Sequence, residues 1–140
     1  MPLERAATES CKEINAMNRE ELRQFIMNTY SAEPDYPWIK YPNYEVFRHS
    51  NNKKWFALIM DISKDRLGLP ETDVLDVVNF KCDPILIGSL LMEKGFFPAY
   101  HMSKANWITV ALDDSVSDEK IKMLLDMSYE ATETKIRKKH

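Results

Sequence analysis

Apolar positions that recur at helical spacing predict three helices, and each of these stretches opens with a residue that commonly caps helices. Asn18 precedes the first stretch, and Glu21 stands three residues further on, which is the pattern of a capping box. Asp83, followed by a proline, predicts the start of a second and shorter helix that closes at Gly95. Ser117 precedes two acidic residues and an apolar face, so it predicts the start of a third helix.

Aromatic and β-branched runs predict strands between the first two helices and again before the third. Residues 44–49 and 55–62 flank residues 50–52, a Ser-Asn-Asn sequence whose tolerance of positive φ favours a hairpin turn. Residues 74–81 form another β-rich run that can pair antiparallel with its predecessor. Apolar and polar residues alternate over residues 107–112, which predicts the last strand, with one set of side chains facing the core.

The remaining segments complete the predicted order of elements. Three prolines between residues 33 and 44 exclude a helix there, and a short extended piece is expected at 38–41, whereas residues 96–106 are expected to be irregular. The order is then helix, three or four strands, helix, strand, helix. Grouped strands flanked by helices predict an α+β domain, an antiparallel sheet with helices packed mainly on one face. We expect residues 1–16 to be an N-terminal extension and 17–140 a single domain.

Composition narrows the class of protein. A chain of 140 residues with 44% apolar residues can bury one core of its own. Its longest apolar runs, at residues 55–60 and 84–92, are far shorter than the roughly 20 residues of a membrane span. The N-terminus shows no secretory signal, and two cysteines suggest no disulfide framework. We therefore expect a cytoplasmic protein without a membrane partner.

Charge distribution points to one basic hairpin. The net charge of −3 argues against strong, indiscriminate DNA binding, because attraction to phosphate dominates such binding. Residues 38–64, however, carry five basic and two acidic side chains. Arg48, His49, Lys53 and Lys54 surround the predicted turn and could contact phosphates. The alternative is a solvated turn whose lysines protect a sheet edge from aggregation.

A second candidate surface lies before and at the start of the last strand, where His101, Lys104, Asn106 and Trp107 cluster. An aromatic plane beside a cation and an amide can stack a base and hold a phosphate. The same residues also fit a structural role, with Trp107 packed under the loop and Lys104 extended along it.

Catalytic and metal-binding patterns are weak. Cys82 and His101 are the one candidate pair of nucleophile and base, but nothing in the sequence brings them within reach. The three histidines show no spacing typical of zinc ligands, and three scattered glycines form no phosphate loop. We therefore expect no enzyme activity, no metal and no cofactor.

Five segments together give the chain a family resemblance. It resembles the MmcQ/YjbR family from about residue 17 to near the C-terminus, and the order and spacing of the segments carry the match. The resemblance implies a CyaY-like α+β fold in a double-wing arrangement, a description as DNA-binding that rests on fold analogy, and no established catalytic residues. The segments that carry it are Trp38-Ile-Lys-Tyr-Pro42, Val46-Phe-Arg-His49, Asn52-Lys-Lys-Trp-Phe-Ala57, Lys81-Cys-Asp-Pro84 and His101-Met-Ser-Lys-Ala-Asn-Trp-Ile-Thr-Val110.

The sequence therefore predicts a non-enzymatic intracellular binding domain. Its expected partner is DNA, held weakly through the basic hairpin and the loop of residues 101–107. The alternative is a protein or small-ligand interaction module without a nucleic-acid role. Salt dependence separates the two, because phosphate contacts weaken steeply as salt rises and apolar contacts do not.

Overall fold

The computed structural model describes residues 17–133, which form three α-helices, a short 3₁₀ helix and five strands. The predicted extension at residues 1–16 lies outside the described residues. In chain order the elements are α1 (Arg19–Tyr30), β1 (Glu45–Arg48), β2 (Trp55–Ser63), the 3₁₀ helix (Lys64–Leu67), β3 (Val74–Lys81), α2 (Pro84–Leu90), β4 (Phe96–Pro98), β5 (Trp107–Ala111) and α3 (Asp118–Thr132).

The predicted caps begin all three α-helices. The side chains of Asn18, Asp83 and Ser117 each accept a hydrogen bond from a backbone N–H group of the first turn. Glu21 completes the capping box at α1. The predicted end of α2 at Gly95 is wrong, because the helix ends at Leu90. Beyond it, the N–H groups of Met92 and Glu93 donate to carbonyls three residues back, which is 3₁₀ rather than α-helical geometry.

The strands form one antiparallel sheet in the order β1-β2-β3-β5-β4. The prediction of an α+β fold with an antiparallel sheet is confirmed. Two local predictions are wrong. Phe96–Pro98 was expected to be irregular but pairs with β5 as an edge strand, and residues 38–41 form turns rather than an extended piece.

One face of the sheet packs against α1 and α3. Apolar side chains from these helices, from α2 and from all five strands meet there in the larger of two buried clusters. Its large, fully buried members include Leu22, Ile26, Phe47, Phe56, Ile59, Phe80, Ile108 and Leu124.

Loops cover the opposite face, which we call the loop face. Val46, Leu58, Met60 and Val77 lie buried on it under the segment of residues 36–44 and the segment of residues 97–102. Since both faces are covered, β5 is buried at all five of its residues and does not alternate between core and solvent. The expectation that only one side of β5 faces a core is therefore wrong.

An ion-pair cluster fastens α1 to the sheet. Glu45 is 1% exposed, and its carboxylate accepts hydrogen bonds from Arg19 at 2.9 Å and from Arg23 at 2.6 and 2.9 Å. Arg19 also pairs with Asp76 of β3 at 3.1 Å. Burial alone would raise the pKa of Glu45, but the hydrogen bonds from Arg23 and Arg19 outweigh it and hold that pKa below its ordinary value.

Both edges of the sheet are short or occupied. Asp35 exchanges two backbone hydrogen bonds with Val46 on the outer side of β1, each 2.9 Å long. At the other edge, β4 has three residues and ends in Pro98. The three inner strands, β2, β3 and β5, are therefore paired on both sides, and the outer edges of β1 and β4 offer few free backbone groups.

Candidate functional site

Three adjoining depressions cross the loop face, and together we call them the loop-face groove. Their volumes are about 340, 290 and 320 Å³. The first and second share Tyr41, Tyr44 and His101, and the second and third share Trp55 and Met102. Because neighbouring depressions share walls, they form one continuous surface rather than three separate sites.

Aromatic rings line the middle of the groove. Trp38 lies edge-on to Tyr44 and to Trp55, with ring centroids 5.8 and 5.7 Å apart. Tyr41 stacks on Tyr44 at 4.7 Å with an angle of 15° between the ring planes. Tyr44 is buried, whereas Tyr41 remains 39% exposed. The ring of Tyr41 is therefore supported on one face and accessible to solvent.

Local backbone turns bring these rings together. The N–H of Tyr41 donates to the carbonyl of Trp38, and the N–H of Tyr44 donates to the carbonyl of Tyr41, at 3.2 and 3.1 Å. Each turn advances the chain by three residues, so the three side chains fall on the same side. Sequence reasoning missed this set, although three aromatic residues at a spacing of three in a proline-rich segment were visible.

A buried polar network fixes the loop that forms the other wall. The N–H of Tyr100 donates to Thr109 Oγ1 at 3.0 Å, and its carbonyl accepts from Asn79 Nδ2 at 2.9 Å. The hydroxyl of Thr109 donates to Asn79 Oδ1 at 2.6 Å, and both side chains are fully buried. The next residue, His101, adopts φ +67° and places its ring 6.1 Å from Tyr41. Two adjacent strands thus position the loop from beneath.

Basic side chains stand at both ends of the groove. Lys40 and Arg66 line the first depression, and Lys54 and Lys81 line the third. Arg66 donates to the Tyr100 hydroxyl at 3.1 Å, and Lys81 Nζ lies 5.9 Å from the centroid of the Trp107 ring.

Within residues 17–133, Asp61 is the one carboxylate that lines these three depressions. The lining therefore carries four basic groups and one acidic group on a chain whose net charge is −3.

The buried tyrosine of the groove is held neutral. Burial is the main cause, with smaller contributions from the neighbouring Tyr100 and Asp61, and together they raise the pKa of Tyr44 to about 12. At neutral pH its hydroxyl is therefore protonated and can donate a hydrogen bond. Tyr44 consequently supports Tyr41 and offers a polar donor, but it adds no charge to the groove.

The groove unites three of the eight residues singled out from the sequence. Lys54 comes from the basic hairpin, and His101 and Trp107 come from the later loop and strand. Trp107 is 8% exposed, so it forms part of the floor of the third depression.

The other residues of the hairpin have different surroundings. Arg48 forms an ion pair with Asp35. His49 is 4% exposed and packs against Phe56 and Tyr129 on the helix-covered side, with Nε2 2.9 Å from Thr132 Oγ1. Burial lowers the pKa of His49. Lys53 is exposed at the turn with φ +64° and does not line the groove.

The two remaining loop residues are exposed outside the groove. Lys104 Nζ donates to the carbonyl of Ala99 at 3.1 Å, and the backbone carbonyl of Asn106 accepts from the N–H of Cys82 at 2.8 Å. The thiol of Cys82 belongs to the helix-side cluster, where burial raises its pKa, whereas His101 lies on the loop face. The structure therefore does not bring this cysteine and histidine together.

Residues 17–133 contain neither a cluster of metal ligands nor a helix suited to a membrane. No group of three or more His, Cys, Asp or Glu side chains there is arranged to hold a metal ion. None of the described helices has the length and apolar character needed to cross a membrane.

Known proteins resemble this chain over most of its length. The YjbR family profile matches residues 27–131. The uncharacterized protein YyaQ of Bacillus subtilis is 37% identical over 116 residues, which cover 83% of this chain and 98% of that protein. A crystal structure of a Pseudomonas syringae protein superposes with a TM-score of 0.82 at 42% identity and covers 84% of this chain and 100% of its own.

A more distant structure supports the fold alone. Deinococcus radiodurans protein DR2400 superposes with a TM-score of 0.66 at 22% identity, covering 89% of this chain and 85% of its own. The resemblance inferred from the sequence is confirmed by the family profile and by the Bacillus relative. The chain belongs to the YjbR family.

Proposed function

We propose that this protein is a non-enzymatic nucleic-acid-binding protein whose contact surface is the loop-face groove. The observation that carries the proposal is the composition of that surface: four basic side chains and one carboxylate interleaved with aromatic rings. Cations contact phosphates and aromatic planes contact bases, so this combination matches both parts of a nucleotide.

The charge distribution supports selective rather than indiscriminate binding. A chain of net charge −3 has no general attraction for polyanions, whereas the lining of the groove is locally basic. In the double-wing arrangement that the family resemblance implies, the hairpin that carries Lys53 and Lys54 extends this basic region past the third depression. We expect DNA to be bound weakly, through few phosphate contacts.

Features of Cys82 bear on two other parts of the proposal, the absence of catalysis and the cytoplasmic location. The separation of Cys82 from His101 on opposite faces favours a binding role over nucleophilic catalysis. Cys82, the one cysteine among residues 17–133, is a buried free thiol, and we propose that the protein works in a reducing compartment such as the cytoplasm.

The experiment is a titration of labelled duplex and single-stranded DNA at two salt concentrations. The test variant is Lys54→Glu, Lys81→Glu, and the matched control is Lys94→Glu, Lys122→Glu, which changes the net charge equally but lies outside the groove. We expect affinity to fall with salt and the test variant to lose about tenfold or more, since each phosphate contact contributes to the salt slope.

The control should stay within about threefold of the wild type. Equal losses in both double variants, or no binding even at low salt, would contradict the proposal.

One observation favours an apolar protein partner as a second candidate. Ile39 is 98% exposed and Tyr36 is 50% exposed, and both lie on the segment that covers the loop face. Binding to such a partner would be insensitive to salt and would weaken in Ile39→Ser. The same variant should bind DNA like the wild type if nucleic acid is the ligand.

A further inference from the structure

The two ends of the groove are basic and its middle is aromatic. Lys40 and Arg66 lie at one end, Lys54 and Lys81 at the other, and the rings of Tyr41, Trp38 and Trp55 lie between them. We propose that the groove selects single-stranded nucleic acid over duplex, with bases stacked on the central rings and phosphates held at the ends. The inference rests on the proposed function and specifies its ligand.

Duplex and single-stranded nucleic acid expose different groups to a protein. In a duplex the bases stack on each other, and the phosphate backbone supplies most of the contacts. In a single strand the base faces are free, and aromatic side chains can stack on them without regard to sequence. An aromatic surface recessed between loops gains nothing from a duplex, whereas a single strand can use both the rings and the cations.

Tyr41 is prepared for stacking. Tyr44 supports one face of its ring at 4.7 Å, and 39% of the residue remains exposed. A base on the open face would extend an existing stack of two rings. Since Tyr44 is buried and a hydrogen-bonded turn joins Tyr41 to it, the ring of Tyr41 needs little ordering on binding.

Weak electrostatics make the stacking decisive. Four cations and one carboxylate permit only a few phosphate contacts, so the affinity for a duplex should be low at moderate salt. Stacking does not depend on salt in this way. The preference for a single strand should therefore widen as the salt concentration rises.

The site should be short. The groove has a basic pair at each end, so we expect it to hold a strand of about four nucleotides, the lower end of the range of known single-strand sites. Affinity for thymidine oligonucleotides should rise steeply up to that length and only slowly beyond it.

The test compares a fluorescein-labelled thymidine dodecamer with a duplex of the same length by fluorescence anisotropy, using full-length protein. The variants are Tyr41→Ala, which removes the ring, and Tyr41→Phe, which keeps it; the control is Tyr36→Ala, an exposed ring on the same segment outside the groove.

We expect tighter binding of the single strand, a loss of about tenfold in Tyr41→Ala, and changes within about twofold in Tyr41→Phe and in the control.

Intrinsic fluorescence provides a second measurement, because the groove is lined by all three tryptophans of the chain. The dodecamer should quench it, and pyrophosphate at the same salt should not. Equal affinity for both DNA forms, unaffected by Tyr41→Ala but lowered by Lys54→Glu, Lys81→Glu, would overturn this inference and leave the proposed function intact. Absence of binding to either form would overturn both.

Discussion

At the scale of single residues, two glycines have a left-handed backbone, but a Cβ atom would be crowded at only one of them. Gly68 has φ +89° and open space around the position of a Cβ atom. Gly95 has φ +93°, and a Cβ there would lie 2.6 Å from Val116 Cγ2 and 2.8 Å from Ser115 Cβ. Both positions disfavour L-residues, but only the second also lacks room.

We therefore predict that Gly95→Ala destabilises the fold more than Gly68→Ala. The latter should lower the free energy of unfolding by about 1 kcal/mol through backbone strain alone. The former should lower it by about 3 kcal/mol, because overpacking adds to the strain. Urea denaturation followed by circular dichroism measures both, and equal losses would show that the neighbours of Gly95 relax freely.

His49 predicts how stability depends on pH. Burial lowers its pKa below the ordinary 6.5, so the unfolded chain takes up this proton before the folded chain does. The contribution of the neutral His49 to the free energy of unfolding is therefore fully present above about pH 6.5. It is lost as the pH falls through the lowered pKa of the folded state.

We expect the free energy of unfolding to decrease between pH 7 and 5.5 in the wild type and to change less in His49→Gln, where no proton is taken up at this position. Urea denaturation at a series of pH values measures it. A slope that survives the substitution would assign the pH dependence to other groups.

At the scale of elements, α1 is joined to the sheet through the buried carboxylate of Glu45. Replacing it by Gln removes the buried charge that Arg19 and Arg23 share and leaves each arginine only a more exposed partner, Asp76 or Glu20. We predict that Glu45→Gln lowers the free energy of unfolding by about 3 kcal/mol. The comparison is Glu20→Gln, since Glu20 pairs with the same Arg23 but its side chain is 62% exposed.

Glu20→Gln should change stability by about 0.5 kcal/mol or less, because water screens an exposed pair. The pKa of Glu45 lies below its ordinary 4.5, so the advantage of the wild type over Glu45→Gln should be complete above about pH 4.5 and be lost as the pH falls through the lowered pKa. Chemical denaturation at pH 7 and near pH 4 measures both effects, and similar losses in the two variants would contradict the role given to burial.

The elements that were predictable from the sequence are those with local signals. Caps at Asn18, Asp83 and Ser117 depend on a few adjacent residues, and β3 follows the β-rich run at residues 74–81. β4 has three residues and exists through its pairing with β5, so no local pattern marks it. The end of α2 likewise depends on turns that Gly95 completes rather than on the apolar spacing.

At the scale of the whole molecule, the groove was only partly predictable because its walls come from distant segments. Lys54, His101 and Trp107 were identified by residue type, but nothing local shows that they share a surface with Trp38. The basic hairpin was predicted as a unit, yet the fold turns His49 inward and pairs Arg48 with Asp35. Which face of a strand receives a covering loop is decided by tertiary packing, which a pattern of period two does not encode.

The two blunted borders of the sheet also limit how this protein can associate with other chains. A partner that docks by adding a strand needs a row of free backbone groups. At one edge the backbone groups of Val46 are already hydrogen-bonded to Asp35, and at the other edge β4 has three residues and ends in Pro98. Recognition by β-augmentation and uncontrolled sheet growth are disfavoured for the same reason. Association is therefore directed to the faces and loops, where side chains rather than the backbone decide what binds.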